Sequence, residues 1–154
     1  SVVLGPDATS ARLHDQLAQA GGRLIVKALN MIAAAHPPPP RVQDNSKATY
    51  AGLLSKESGR IDWTKSAKEI ERQFRALHPW PGLWCMHNGQ RLKILDVTIT
   101  EGSGAPGAIL DHALTVACHQ GALRLVTVQP EGRKPMSGAD FMNGARLNIK
   151  DLLT

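Results

Sequence analysis

Leu83-Trp84-Cys85-Met86-His87-Asn88-Gly89-Gln90-Arg91-Leu92-Lys93-Ile94-Leu95-Asp96-Val97-Thr98 holds two strand-like runs on either side of Asn88-Gly89. A tight two-residue hairpin turn needs positive φ at both central positions, which Asn and Gly accept most readily. The pair therefore predicts a β-hairpin with strands from Trp84 to His87 and from Arg91 to Thr98. Downstream, a glycine-containing break at Glu101 to Gly107 precedes Ala108-Ile109-Leu110, and then Leu114 to Cys118 and Ala122 to Val128 flank a turn at His119-Gln120-Gly121. Ser137 to Arg146, just after Pro135, predicts a closing helix. Upstream, Ser66-Ala67-Lys68-Glu69 has the form of a capping box ahead of Ile70, Phe74 and Leu77 at helical spacing. That helix stops at His78-Pro79, and Trp80-Pro81-Gly82 turns a corner into the hairpin. Five or six short strands with a helix at each end predict an α+β fold. The expected body is a small open antiparallel β-barrel, oligonucleotide-binding-like with Greek-key connections and flanking helices.

The N-terminal third has a different texture. Residues 7 to 35 read as two helices, the first capped by Asp7, Thr9 or Ser10, carrying Leu13 and Leu17 on one face and ended by Gly21-Gly22. The second carries Leu24, Ile25, Ala28, Leu29 and Ile32 as an apolar stripe. Nothing else in the segment covers that stripe, so these helices are expected to dock on a larger body. Pro37-Pro38-Pro39-Pro40 favours a stiff extended chain, and the polar stretch Arg41 to Lys47 continues it. A spacer is the simpler use of this run than a ligand for proline-recognition modules. The expected division is 1–36, a 37–50 linker and 51–154. The opening Ser1-Val2-Val3-Leu4-Gly5-Pro6 reads as a cut into a longer chain.

Composition narrows the classes. Of 154 residues, 42% are apolar and 20% charged, so a core is within reach and wholesale disorder is not expected. Lys and Arg exceed Asp and Glu by 18 to 13, a net charge of +5 that favours polyanionic partners. No apolar run approaches the roughly 20 residues of a membrane span. Cys85 and Cys118 both sit in strand-like runs and read as two buried thiols in a reducing cytoplasm rather than as a cross-strand bridge. Cys85-Met86-His87 and Cys118-His119 supply only two short pairs, too few for structural zinc. Asp62, Asp96, Asp111 and Asp140 stand singly at element ends, where caps and turns account for them.

The basic residues carry the functional expectation. Lys47, Lys56 and Arg60 lie in or beside the linker, Arg91 and Lys93 share one strand face by alternation, and Arg133-Lys134 occupies a loop tip. Lys and Arg in such places grip phosphates without reading sequence. Lys65, Lys68, Arg72 and Arg75 are interspersed with Glu69 and Glu71 and read instead as a solvated helix face, with Arg72 or Arg75 paired to a carboxylate. Trp80 and Trp84 read as core or corner residues rather than as platforms for a base, and the lack of exposed-looking aromatics argues against readout of single strands.

Several longer strings resemble one family, the methionyl-tRNA formyltransferases. Asp44-Asn45-Ser46-Lys47-Ala48-Thr49-Tyr50-Ala51 and Ser55-Lys56-Glu57-Ser58-Gly59-Arg60-Ile61-Asp62-Trp63 look like its linker and leading barrel strand. Arg75-Ala76-Leu77 followed by Pro79-Trp80-Pro81-Gly82 is similar to the family's proline-tryptophan-proline corner. Gly121-Ala122-Leu123-Arg124-Leu125, then Val128-Gln129-Pro130-Glu131-Gly132-Arg133-Lys134-Pro135-Met136-Ser137, resembles its last barrel strand and the loop beyond, and Asp140-Phe141-Met142-Asn143-Gly144 its closing helix. The sequence departs from the family near Leu53, where a lysine is frequent, at His78, where asparagine is usual, and at Cys118-His119-Gln120.

The resemblance implies the C-terminal part of an enzyme that moves a formyl group from 10-formyltetrahydrofolate to methionyl initiator tRNA. In that frame residues 1–36 are a helical remnant of a Rossmann-like α/β catalytic domain, and 51–154 form the tRNA-binding barrel. The tRNA contacts expected are Lys47, Lys56, Arg60, Arg91, Lys93, Arg133 and Lys134. The family's catalytic asparagine, its histidine-x-serine-leucine-leucine-proline string and its aspartate-threonine-glycine string do not occur here. No catalytic, metal or cofactor residue is therefore assigned, and the chain alone is expected to be inactive. The implied partners are initiator methionyl-tRNA and a missing N-terminal catalytic domain, in a cytoplasmic, monomeric parent away from membranes. Two alternatives stay open: a stand-alone basic RNA-binding module, or part of a related formyltransferase acting on another amine.

Overall fold

The computed structural model describes residues 2–35, 37 and 39–154. The chain divides into two compact units, Ser1–Leu54 and Ser55–Thr154. In the first, α1 (Ser10–Ala33) is one continuous helix and not the two expected. Thr9 caps it by accepting from the Arg12 N–H. Gly21 and Gly22 lie inside the helix, and neither is among the glycines with positive φ. A glycine ends a helix by turning left-handed; kept helical, each costs only about 1 kcal/mol relative to alanine, which 24 residues absorb. No residue of α1 is buried, and Leu24, Ile25, Val26, Leu29 and Ile32 are all exposed. Pro37, Pro39 and Pro40 belong to no regular element. Ser1, His36 and Pro38 lie outside the described residues, so the reading of a four-proline run applies to three of its members.

The second unit is built around an antiparallel sheet. Its strands are β1 (Leu83–His87), β2 (Gln90–Thr100), β3 (Thr115–Ala117), β4 (Ala122–Pro130) and β5 (Met136–Ser137). The order across the sheet is β1-β2-β4-β3, with β5 pairing β4. Asn88 and Gly89, at φ 48° and 75°, make the turn that the sequence predicts. Helix α2 (Ala67–Leu77) starts at the expected capping box: the Ser66 N–H donates to Glu69 Oε2 at 2.9 Å, and the Ser66 hydroxyl oxygen accepts from the Glu69 N–H. Helix α3 (Gly138–Ala145) is capped by Ser137 and ends at Arg146 in a left-handed conformation. The fold is thus α+β around an open antiparallel sheet. Ile70, Leu83, Leu92, Ile94, Val116, Leu123, Leu125, Val128, Met142 and Leu153 form its core.

Ala108-Ile109-Leu110 does not become a full strand. It makes only two isolated bridges, Ile109 to Val116 and Ala108 to Leu152, because Gly107 turns at φ 85° before it and an Asp111 loop follows. Both outer edges of the sheet are nevertheless covered. Gly107 donates to the Ala117 carbonyl and Ala117 to that of Ala108 on the β3 side. The segment 150–154 bonds to this edge through Leu153 N–H to Gly107 O, and to β1 through Met86 and Thr154. Covering edges in this way removes the unpaired N–H and C=O rows that invite aggregation.

Asp111 organises the loop between those bridges. Its carboxylate accepts from the N–H groups of Ala113 and Thr115 and from the Thr115 hydroxyl at 2.7 Å. Desolvation pushes its pKa up, but these hydrogen bonds and Arg124 outweigh that and hold it below the usual aspartate range. A group depressed in the folded state contributes stability at pH above its unfolded value, lost as pH falls through the folded one. Asp111→Ala is therefore expected to cost about 1 kcal/mol at neutral pH, a figure kept low by the half-exposed side chain. The difference from wild type should shrink below about pH 4, read by urea unfolding across pH. A difference that grew on acidification would contradict this account.

Candidate nucleic-acid interface

The hairpin and the short helical turn before α2 converge on Trp84. The turn, Lys56–Gly59, packs against the Pro79–Gly82 corner so closely that a Cβ at Gly59 would overlap the Gly82 carbonyl oxygen. Only glycine permits that approach. It brings the Lys56 carbonyl to 2.9 Å from the Trp84 indole N–H, which donates to it. Next to this bond the Ile61 N–H donates to the Trp84 carbonyl at 2.9 Å. Trp84 itself is 5% exposed.

The cations gather on this indole. Antiparallel register sets Lys93 opposite both Trp84 and Gln129, and Arg91 opposite Met86. Leu92 and Ile94 point into the core, so Arg91 and Lys93 share the other face, as the alternation predicts. The Arg91 guanidinium lies 3.8 Å from the Trp84 ring centroid and 3.2 Å from Glu57, and that of Arg60 lies 5.8 Å from the same ring. A cation over an indole face contributes about 0.5–2 kcal/mol. Arg91 is thus held by a ring and a carboxylate, while Lys56 and Lys93 make no ion pair among the described residues.

Beside Trp84 opens a cleft of about 420 Å³, lined among others by Lys56, His78, Trp80, Arg91, Lys93 and Gln129, with no carboxylate in its lining. A smaller groove carries Arg91 and Lys93 on toward the turn at Glu131 and Gly132. Arg133 and Lys134 are exposed on that turn, which is tied down where the Gln129 side chain donates to the Arg133 carbonyl at 2.9 Å. The structure therefore brings Lys56, Arg60, Arg91 and Lys93 to one place, with a groove running on to Glu131 and Gly132, whereas Arg133 lines a different groove with His87 and Phe141. Lys47 lies in the other unit, 3.5 Å from Asp44. On α2, Arg75 pairs with Glu71 at 2.6 Å, the pairing expected, but the two side chains are half-buried and not part of a solvated face.

Trp80 occupies the corner, one of the two places expected of it, but it is not core: 58% of it is exposed, against the expected lack of exposed aromatics. Sequence reasoning placed no functional residue here, nor at His78 or Gln129. The signal available was a large aromatic between two prolines, a setting in which a side chain has no strand or helix face to follow inward. Cys85 and Cys118 are both free and buried, and burial pushes their thiols up to about 12 and about 11. Neither is a nucleophile near neutral pH. Among the described residues no group of three or more His, Cys, Asp or Glu side chains is placed to hold a metal ion. No helix among them is long and apolar enough to cross a membrane.

A family model described as the formyl transferase C-terminal domain matches residues 53–146, which include every element of the second unit's sheet and both of its helices. The chain belongs to the formyl transferase C-terminal domain family. Its curated relatives include a methionyl-tRNA formyltransferase of Paramagnetospirillum magneticum, 44% identical over 94% of this chain and 47% of the relative. Another, from a Chelativorans species, is 40% identical over 99% of this chain and 50% of its own. The chain thus spans about half the length of the curated relatives it matches. Among solved structures, HypX from Aquifex aeolicus in complex with tetrahydrofolic acid aligns with a TM-score of 0.65, covering 99% of this chain and 30% of HypX. At 16% identity that likeness concerns the fold alone.

Proposed function

We propose that this chain is the C-terminal part of a methionyl-tRNA formyltransferase and that it holds initiator tRNA by its phosphates. The observation carrying the proposal is the cluster of Lys56, Arg60, Arg91 and Lys93 around Trp84, with a groove running from it to the turn at Glu131 and Gly132 that precedes Arg133 and Lys134. The names of the relatives support the enzyme, and the matched domain supports the place within it. In this reading 51–154 is the tRNA-binding barrel, with hydrogen bonds through 107–109 and 150–154 drawing the sheet round in the oligonucleotide-binding manner. Residues 1–36 are the end of the catalytic domain and 37–50 the linker, which also offers Lys47.

The formyl group comes from 10-formyltetrahydrofolate, bound by a preceding catalytic domain and by no residue assigned here. This chain positions the nucleic acid and does not transfer the group itself. The parent works as a cytoplasmic monomer. A stand-alone module is the weaker alternative, because relatives 40–44% identical along almost the whole of this chain run to about twice its length.

Filter binding of the chain to initiator tRNA across salt tests the reading. Released counterions make log K fall linearly with log salt, by about 0.9 for each phosphate neutralised. Lys56→Gln and Lys93→Gln are each expected to lower the slope by about one and to weaken binding of all tRNAs alike. An affinity that does not change between about 50 and 200 mM salt would defeat the proposal.

A further inference from the structure

We propose that the cleft beside the Pro79–Gly82 corner receives one unpaired nucleotide, its base stacked on Trp80 and its phosphate between Lys56 and Lys93. The inference rests on the phosphate-gripping reading above and adds a ligand element that charge alone does not require. Three observations carry it. First, Trp80 is the one tryptophan of three left open: Trp63 and Trp84 are each 5% exposed, and Trp80 is 58% exposed. An indole left half in water at the rim of a cleft is an unused flat apolar face. Second, the same cleft is lined by Lys56 and Lys93, both exposed and without an ion pair among the described residues, and by no carboxylate. Third, Leu95 and Gln129 also line the cleft. Leu95 falls where the register between β2 and β4 slips, between Ile94 and Asp96. That bulge bends β2 beside the cleft, while Gln129, opposite Lys93, is held by donating to the Arg133 carbonyl.

A single flat face beside two unpaired ammonium groups suits a nucleotide better than it suits either of its parts. A bare phosphate has no use for the indole, and a purely apolar ligand has none for the lysines. A base in a duplex cannot present its face, so the occupant is an unstacked nucleotide from a loop, bulge or end. Every base has a π-face, so the site is expected to choose unpaired over paired nucleotides and not one sequence over another.

Two labelled RNAs with equal numbers of phosphates, a stem-loop and a blunt duplex, separate the contributions when titrated with the full chain. Wild type is expected to favour the stem-loop, with its tryptophan emission quenched on binding. Trp80→Ala should weaken stem-loop binding by about five- to a hundredfold and remove the quench, and leave duplex binding unchanged. Trp80→Phe should recover most of the loss, and Trp80→Leu should not. Equal loss on both RNAs, or rescue by leucine as complete as by phenylalanine, would overturn the stacking role while leaving phosphate gripping intact. The same holds if Trp80→Ala abolished binding of a polyglutamate peptide, which would assign the cleft to an acidic protein instead. Failure of wild type to bind either RNA would remove both proposals together.

Discussion

Replacing Trp84 by alanine is expected to destabilise the second unit by about 3–5 kcal/mol, one of the two largest single effects in the chain. The indole is 5% exposed, so its removal leaves a cavity where the leading turn, the hairpin and the Pro79–Gly82 corner meet. Three further losses accompany the cavity. The Lys56 carbonyl loses the donor 2.9 Å away, Arg91 loses the ring 3.8 Å beneath its guanidinium, and Arg60 loses its more distant contact. A body of about 100 residues has roughly 5–15 kcal/mol of stability in all, so the variant should melt roughly 15–30 °C lower. Trp84→Phe separates the causes. It keeps most of the apolar volume and a ring under Arg91 but has no N–H, so about 1 kcal/mol plus the packing mismatch is expected. A cost below about 1 kcal/mol for Trp84→Ala in urea unfolding would show that the indole is not the hub of this corner. The prediction also bears on function. Lys56 and Arg91 take their positions from contacts with Trp84, so charges that seem independent along the sequence depend on one buried ring.

That dependence explains what was and was not legible from the amino acids. The hairpin turn, the Ser66 capping box and the Ser137-capped helix start were readable because each signal rests on residues within a few positions of one another. Arg91 and Lys93 were readable as a pair for the same reason: strand alternation is local. The pairing of Arg91 with Glu57 spans 34 positions, and nothing local announces it. The Gly21-Gly22 doublet misled in the opposite direction. Glycine was given the weight of a stop signal, whereas the helical residues on both sides carry the chain through it. Trp80 stands between two prolines and Trp84, four positions on, inside a strand-like run; both read as core or corner residues, yet one is a platform and the other a keystone. Their difference lies in Gly59, whose missing side chain lets the leading turn close over Trp84. The slip at Leu95, a residue lining the cleft, likewise depends on how β2 meets β4 and not on either strand alone.

The other large effect is expected at Leu153. The covered edges of the sheet are joined by a short segment with almost no secondary structure of its own, and Leu153 is its only side chain in the core, 1% exposed against 57% for Leu152. Its backbone donates to the Gly107 carbonyl, the next residue bonds to Met86 of β1, and Asp151 accepts from the Ile109 N–H at 2.9 Å. Gly107 is tight against this segment: a Cβ there would overlap the Leu153 carbonyl oxygen. The hydrogen bonds are few and near the surface, so their net worth is about 1 kcal/mol each, and they persist only while the segment stays seated. Seating it is the work of the leucine. Leu153→Ala is therefore expected to cost about 2–5 kcal/mol, with Leu152→Ala within about 0.5 kcal/mol of wild type. Amide exchange gives the sharper test, because loss of the anchor should open the edges before the sheet. Protection should collapse first at Met86, Ile109 and residue 153, whose N–H groups bond to or from the segment, and persist at Leu123 and Leu125 in β4, the strand that pairs with β2, β3 and β5. Uniform loss of protection across all of these amides would mean that the segment folds and unfolds with the body as one unit and is not a separable clasp.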